Sequence, residues 1–420
     1  QVEVAKQVAR QASAQQRPTV SHEAHEVARK IVRPAWVPLR RTVTGLGMAP
    51  ALQAAYDKAA REPLVEGSVL FFDEKAQSFP VAFAQVKKEI EDTYQLPTSY
   101  VGLKVIDNSW KTVARKCVAT MGQLATAEYV FLQDASVVLG AVRLRPETKV
   151  IQLWHEAGLY TERHADAYDR FPDQGRELQP RHDRHPYYGL VTTSAPEVDE
   201  SFVRHMGAMN KGAVLPIGVS ATDPFMDEQF VSASTDKVRE LVPAAKDRRI
   251  IVYAPTFRGG RRDAKAPAEL DIHDMRRALG DSYVLLIRHD PLVAWQTPIP
   301  FDCQDFAFYP GKDISTEELL AAADVAIFDY SNTYCLYALL ERPMVFFAYD
   351  RETFLEYQGV SYDYEQVVPG PVVAGTGEIV DFVQNLEVRF DVERVRSFKR
   401  RYLSSCDGNA TRRICDLVFG

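Results

Sequence analysis

"DISTEELLAAADVAIFDYSNTYCLYALLERPMVFFAYD", residues 313–350, alternates the two periodicities from which an α/β layer is built. Ser315 followed three residues later by Glu318 is a capping box, so a helix starts there and runs through "STEELLAAA". The runs "VAIF" and "MVFF" are apolar without alternation and too short for buried helices. Such runs suit strands covered on both faces of a parallel sheet. Between them, "DYSNTY" supplies a polar turn and the following residues a crossover helix, which two parallel strands require.

The same pattern recurs along the chain. "SVLFFDE" (68–74), "AEYVFLQD" (127–134), "KVIQLWH" (149–155) and "YYGLVTTS" (187–194) form a first series of strands. "RRIIVYAPTF" (248–257), "SYVLLIRHD" (282–290), "VAIFDYS" (325–331) and "MVFFAYD" (344–350) form a second, with "APAELDIHDMRRAL" as a helix between. Two successive βα arrays predict an α/β protein of two doubly wound domains facing one another. Pro216, Gly218 and Pro224 in "LPIGVSATDPF" mark the break, giving domains over 66–222 and 223–420, the second carrying the C-terminal helix. Residues 1–65 read as a helical, basic segment in which Trp36 stands among Arg29, Lys30, Arg33, Arg40 and Arg41. That mixture suits either an anionic membrane surface or an arm docked on its own domain.

At 420 residues, 46% hydrophobic and 25% charged, the chain has material for a large core. A net charge of −7 argues against general nucleic-acid binding, which needs a basic face. The five cysteines form no CxxC pair and no zinc-finger spacing, so no metal site is expected. Neither a signal peptide nor a membrane-spanning run is visible. The expected location is the cytoplasm.

Ligands of open α/β sheets bind outside the carboxyl ends of the strands, so the residues there are the candidates. Trp154, His155, Glu156 and Gly158 follow one strand, and an imidazole titrating near neutrality can take a proton there. Arg288 and His289 end a strand of the other domain, a guanidinium suited to phosphate beside a second imidazole. Thr256 and Arg258, with Gly259 and Gly260, have the parts of an anion cradle. Asp329, Ser331, Asn332 and Thr333 gather hydroxyls and amides before a helix, a phosphate-binding arrangement. Each feature has a plainer reading: a satisfied core histidine, a surface ion pair, a mobile basic loop, a helix cap. "RHDRHPYY" (181–188) reads as a solvated loop, and Asp407 or Asn409 as the cap of the last helix.

Taken in order, "QLWHEAG", "YAPTFRG", "LLIRHDP", the 313–350 stretch, "YDYEQVVPGPVV" (362–373) and "DGNATRRI" resemble the CDP-glycerol glycerophosphotransferases of teichoic-acid and capsule synthesis, over about residue 125 to the C-terminus. The resemblance implies a GT-B architecture, two Rossmann-like domains around a central cleft. It implies transfer of an alditol phosphate, glycerol phosphate foremost, from CDP-glycerol or CDP-ribitol to a hydroxyl of a lipid-linked polyprenyl-diphosphate saccharide or poly(alditol phosphate), releasing CMP; because phosphoryl transfer asks mainly for positioning and electrostatics, two histidines and a helix N-terminus suffice for it without cofactor or metal. His155 maps to the family's catalytic base and His289 to its second catalytic, pyrophosphate-binding histidine. Thr256, Arg258, Asp329, Ser331 and Asn332 map to donor-binding loops. The chain departs from the family where many members continue WHGTP with lysines and where Asn332 replaces a second serine; Trp154, Glu156 and Gly158 are assigned to the acceptor side. A lipid-linked acceptor implies a peripheral position on the inner membrane face. The rival readings are a GT-B glycosyltransferase using a nucleotide sugar and a catalytically silent nucleotide-binding or scaffolding protein at the membrane.

Overall fold

The computed structural model describes residues 48–74, 79–104, 108–154, 156–159, 188–205, 211–259, 264–357 and 362–420. The basic segment before residue 48, His155, Gly260 and most of "RHDRHPYY" lie outside the described residues.

Two six-stranded sheets dominate, with every strand pair parallel. The first contains β1 (Val65–Asp73), β2 (Thr98–Gly102), β3 (Ala127–Leu132), β4 (Lys149–Gln152), β5 (Tyr188–Thr192) and β6 (Val214–Leu215), in the order β2-β1-β3-β4-β5-β6. The second contains β7 (Arg249–Tyr253), β8 (Tyr283–Ile287), β9 (Ala307–Phe308), β10 (Val325–Phe328), β11 (Met344–Phe347) and β12 (Val372–Val373), in the order β12-β11-β10-β7-β8-β9. Each sheet therefore reverses its direction of growth once, between β1 and β3 and between β7 and β10. Such switch points leave a crevice at the strand ends, because the connections on either side lead away in opposite directions.

The apolar runs are buried on both faces, as their lack of alternation predicts. Ile251, Tyr253, Leu285, Ile287 and Ile327 pack under the helices Ile272–Leu279 and Thr376–Gln384, while Ile250, Val252, Leu286 and Phe328 face a second core on the other side. That second core continues without a break into Trp154, Val191, Phe202 and Val214 of the first domain, so the two lobes share an apolar floor. The expected capping box is present: Ser315 Oγ accepts from Glu318 N at 3.1 Å, and Glu318 Oε2 accepts from Ser315 N at 2.8 Å.

Three local expectations need correction. The helix expected within 266–279 is only Ile272–Leu279, because Asp271 caps it by accepting from Asp274 N at 3.0 Å. The helix Met48–Ala59 belongs to the first domain, with Leu52 and Tyr56 buried against Val113, Cys117 and Met121. The C-terminal helix Ala410–Phe419 packs on the first sheet and not on the second: Ile414 and Cys415 are buried with Phe71, Phe131 and Ile151, and Phe419 lies 4.7 Å from the Tyr129 ring. Its cap is also different. Asn409 makes no side-chain cap bond and Asp407 pairs with Arg413, while Asp223 accepts from Ala410 N and Thr411 N at 3.1 and 2.7 Å. A buried carboxylate at the domain break therefore fixes the returning helix.

Candidate active site

Asp329 directly follows β10, beside β7, at the switch point of the second sheet. It is fully buried, and its carboxylate accepts from Thr256 N at 2.8 Å, Thr256 Oγ1 at 2.8 Å, Arg258 Nη1 at 2.8 Å and Tyr330 N at 2.5 Å. Its carbonyl accepts from Tyr364 Oη at 2.5 Å. Thr256 is buried as well. The direct donor contacts expected of Thr256 and Asp329 are therefore not available in this geometry: one hydroxyl and one carboxylate consume each other, and a buried anion repels a phosphate. Together they brace the two loops that leave β7 and β10.

Arg258 completes the brace. Besides Asp329 and the Thr256 carbonyl, its Nε and Nη2 donate to both oxygens of Asp350 at 2.5 and 3.1 Å, the fork geometry that guanidinium and carboxylate share. Tyr330, Tyr349 and Phe354 surround it at 5.2–5.3 Å, and Tyr330 stacks on Phe354 at 3.6 Å. Burial opposes its charge, but the Asp329 and Asp350 carboxylates outweigh that cost and raise its pKa. Asp350, Tyr349 and Phe354 were not singled out from the sequence. The strand-end rule alone would have found Asp350, which closes "MVFFAYD".

Along the same edge, the backbone of Arg288 donates to Tyr253 O at 2.9 Å, which places the β8 end beside the β7 end. One guanidinium arm donates to Ile314 O at 2.7 Å, whereas its Nε is buried without a hydrogen-bond partner among the described residues. Nδ1 of His289 is likewise buried and unpartnered, with the ring 5.4 Å from Tyr309. Burial lowers the His289 pKa to about 4, so the ring is neutral at neutral pH, and burial lowers that of Arg288 too. Two unsatisfied nitrogens at one strand end are expensive unless a ligand takes them.

Ser331 Oγ and Thr333 Oγ1 share a hydrogen bond at 2.9 Å ahead of a helix of only five residues, Tyr334–Ala338. So short a helix contributes little dipole, and the loop's own polar groups are what it offers. Asn332 turns away toward the first domain, its Nδ2 donating to Glu156 Oε2 at 2.9 Å and Leu159 O at 3.3 Å, while its Oδ1 is buried without a hydrogen-bond partner among the described residues. The loop it meets is tightly shaped. Trp154 adopts a left-handed φ of 57° and packs edge-on against Phe202 at 5.7 Å. Gly158, at φ 81°, donates to Ser194 Oγ at 2.9 Å, and a Cβ there would stand 2.5 Å from Cys335 Sγ. Bulky residues rarely hold positive φ, and where they do the strain tends to mark functional loops. His155, between these two anchored residues, is outside the described set.

The family described as CDP-Glycerol:Poly(glycerophosphate) glycerophosphotransferase matches residues 54–420. The chain belongs to this family. Among relatives of this glycerophosphotransferase-family chain, the teichoic acid poly(ribitol-phosphate) polymerase of Bacillus spizizenii is 30% identical over 296 residues, 70% of this chain and 47% of the relative. The teichoic acid glycerol-phosphate primase of Bacillus subtilis is 24% identical over 296 residues, 69% of this chain and 73% of the relative. The chain thus spans about half the length of the first and most of the second. In three dimensions it superposes on a solved structure of the wall teichoic acid polymerase TagF with a TM-score of 0.68 at 20% identity, covering 88% of this chain and 92% of the solved chain. The GT-B fold implied by the motifs is therefore the fold of this glycerophosphotransferase-family chain.

Proposed function

We propose that the chain transfers an alditol phosphate from a CDP-alditol to a hydroxyl of a teichoic-acid or capsule acceptor, releasing CMP. The observation that carries this is the row of β-strand ends of the second sheet: Arg288 Nε, His289 Nδ1 and Asn332 Oδ1 are buried and unpartnered among the described residues, on the edge that abuts the loop containing His155. A diphosphate and its alditol offer both acceptors and hydroxyl donors to such groups. Arg288, His289, Ser331 and Thr333 hold the donor, while Thr256, Arg258 and Asp329 keep their loops in place behind them.

In the reaction the acceptor oxygen attacks the phosphorus that bears the alditol. A new P–O bond forms, the bond to the CMP oxygen breaks, and His155 takes the acceptor proton. His289 and Arg288 meet the charge that grows on departing CMP. Phosphoryl transfer asks chiefly for alignment and charge stabilisation, which fixed strand-end groups supply. Trp154, Glu156 and Gly158 shape the acceptor side. A lipid-linked acceptor would bring the chain to the inner face of the membrane; no helix among the described residues is long and apolar enough to cross one. The family description names glycerol, and both ribitol and glycerol enzymes occur among the relatives.

The test offers CDP-glycerol, CDP-ribitol and UDP-sugars in turn with a short lipid-linked primer and weighs the products. Mass increments of one or more alditol phosphates, with CMP released and activity lost in His155→Ala, are expected. Transfer of a bare sugar from a UDP-sugar, or no product with any donor, would overturn the reading.

A further inference from the structure

Thirty residues separate His273 from Cys303 in sequence, yet the fold brings them together with Asp302. His273 is the second residue of the helix Ile272–Leu279, and Asp302 and Cys303 close the 3₁₀ turn Phe301–Cys303. His273 Nδ1 lies 3.1 Å from Asp302 Oδ2 and 3.5 Å from Cys303 Sγ, and the three atoms all fall within 4.8 Å of one another. We infer that His273, Asp302 and Cys303 form a binding site for a thiophilic divalent cation of the zinc class, separate from the active site.

Geometry and donor chemistry both support this. A tetrahedral zinc with bonds of roughly 2.0 Å to nitrogen or oxygen and 2.3 Å to sulfur spaces its ligand atoms about 3.3–3.6 Å apart. The two spacings from His273 Nδ1, 3.1 Å to Asp302 and 3.5 Å to Cys303, are close to that before any ion draws the side chains in. One thiolate, one imidazole and one carboxylate suit zinc or cobalt, whereas magnesium and calcium prefer oxygen alone. The main chain under the ligands is fixed: Cys303 N donates to Pro300 O, Phe306 N donates to Cys303 O, and Asp271, two residues before His273, caps the helix. Cys303 is buried, while His273 and Asp302 are exposed, so water can reach the fourth position and an ion can enter. Nearby Asp305 is committed to Arg276 at 2.7 and 3.0 Å and does not compete as a ligand. An ion here would pin the far end of segment 290–301, which leaves the active site at His289.

The test is direct metal binding by the full chain. Chelator-stripped protein is titrated with zinc by equilibrium dialysis and, separately, with cobalt, whose thiolate complexes absorb in the near ultraviolet. One zinc per chain and a sulfur-to-cobalt band are expected. Cys303→Ser should abolish the band, and the exposed changes His273→Gln and Asp302→Asn should each weaken binding at least about tenfold, with circular dichroism unchanged. Binding below one equivalent in the wild type, or variants that bind as tightly as it does, would reduce the cluster to an ordinary His–Asp pair beside a thiol. Because the readout is metal and not CMP, it is independent of the transferase reading.

Discussion

At the scale of single residues, His289 makes the sharpest prediction. Its pKa is about 4 because burial disfavours the imidazolium. A diphosphate bound beside it favours the imidazolium, so donor binding should take up a proton and tighten as pH falls from 8 to 6. The donor's KM is therefore expected to fall over that range in the wild type and to stay flat in His289→Gln, with kcat of the variant lower by about 10²-fold or more. Stability runs the other way. A folded-state pKa below the unfolded value means the unfolded chain binds the proton first, so His289 lowers stability as pH drops from about 6.5 toward 4. Asp329 behaves differently, because its value lies in holding other groups. Asp329→Asn leaves Arg258 buried with half of its charge partners gone, and should cost about 3–5 kcal/mol in denaturant unfolding. Thr256→Ser keeps the hydroxyl and should be mild.

Elements meet across the cleft at the 152–159 loop and the start of the Tyr334–Ala338 helix. Gly158→Ala adds a Cβ that collides with Cys335 Sγ and places alanine at φ 81°, so it should weaken both stability and transfer. Combining it with Cys335→Ala removes the sulfur and leaves only the backbone term of about 1–2 kcal/mol, and partial recovery in thermal unfolding is the expected sign. The Asn332–Glu156 bond joins the same two elements. Asn332→Ala and Glu156→Ala should each reduce kcat/KM, and the double variant should lose less than their sum, with a coupling of about 1.5–3 kcal/mol for a hydrogen bond to a charged group. Additive losses would mean that the two side chains act separately.

For the molecule as a whole, the return of the Ala410–Phe419 helix to the first sheet ties the two lobes into one folding unit. Ending the chain after residue 409 removes Ile414, Cys415 and Phe419 from the first domain's core. The truncated protein should lose protection of β1–β3 in hydrogen exchange before that of β7–β11, although the deleted residues follow the second domain in sequence. Equal protection in both lobes would contradict the packing. The same crossover explains why a cut at 222/223 misdescribes the domains: it falls within the Ser220–Met226 turn, whose Asp223 holds the returning helix.

Local composition determined the strands, because a segment buried on both faces must be apolar throughout, and it determined the Ser315 cap, because capping is satisfied within four residues. The rule that ligands gather at strand ends led to Arg288, His289 and the 329–333 loop, and an ordered set of motifs led to the family. Which of those side chains serve one another was settled only by folding. Thr256 and Asp329 are 73 positions apart, Arg258 and Asp350 are 92 apart, and Asn332 and Glu156 are 176 apart. No local pattern records such partners, since hydrogen bonds and ion pairs depend on distance in space, and that distance is fixed by how the two sheets and the returning helix pack.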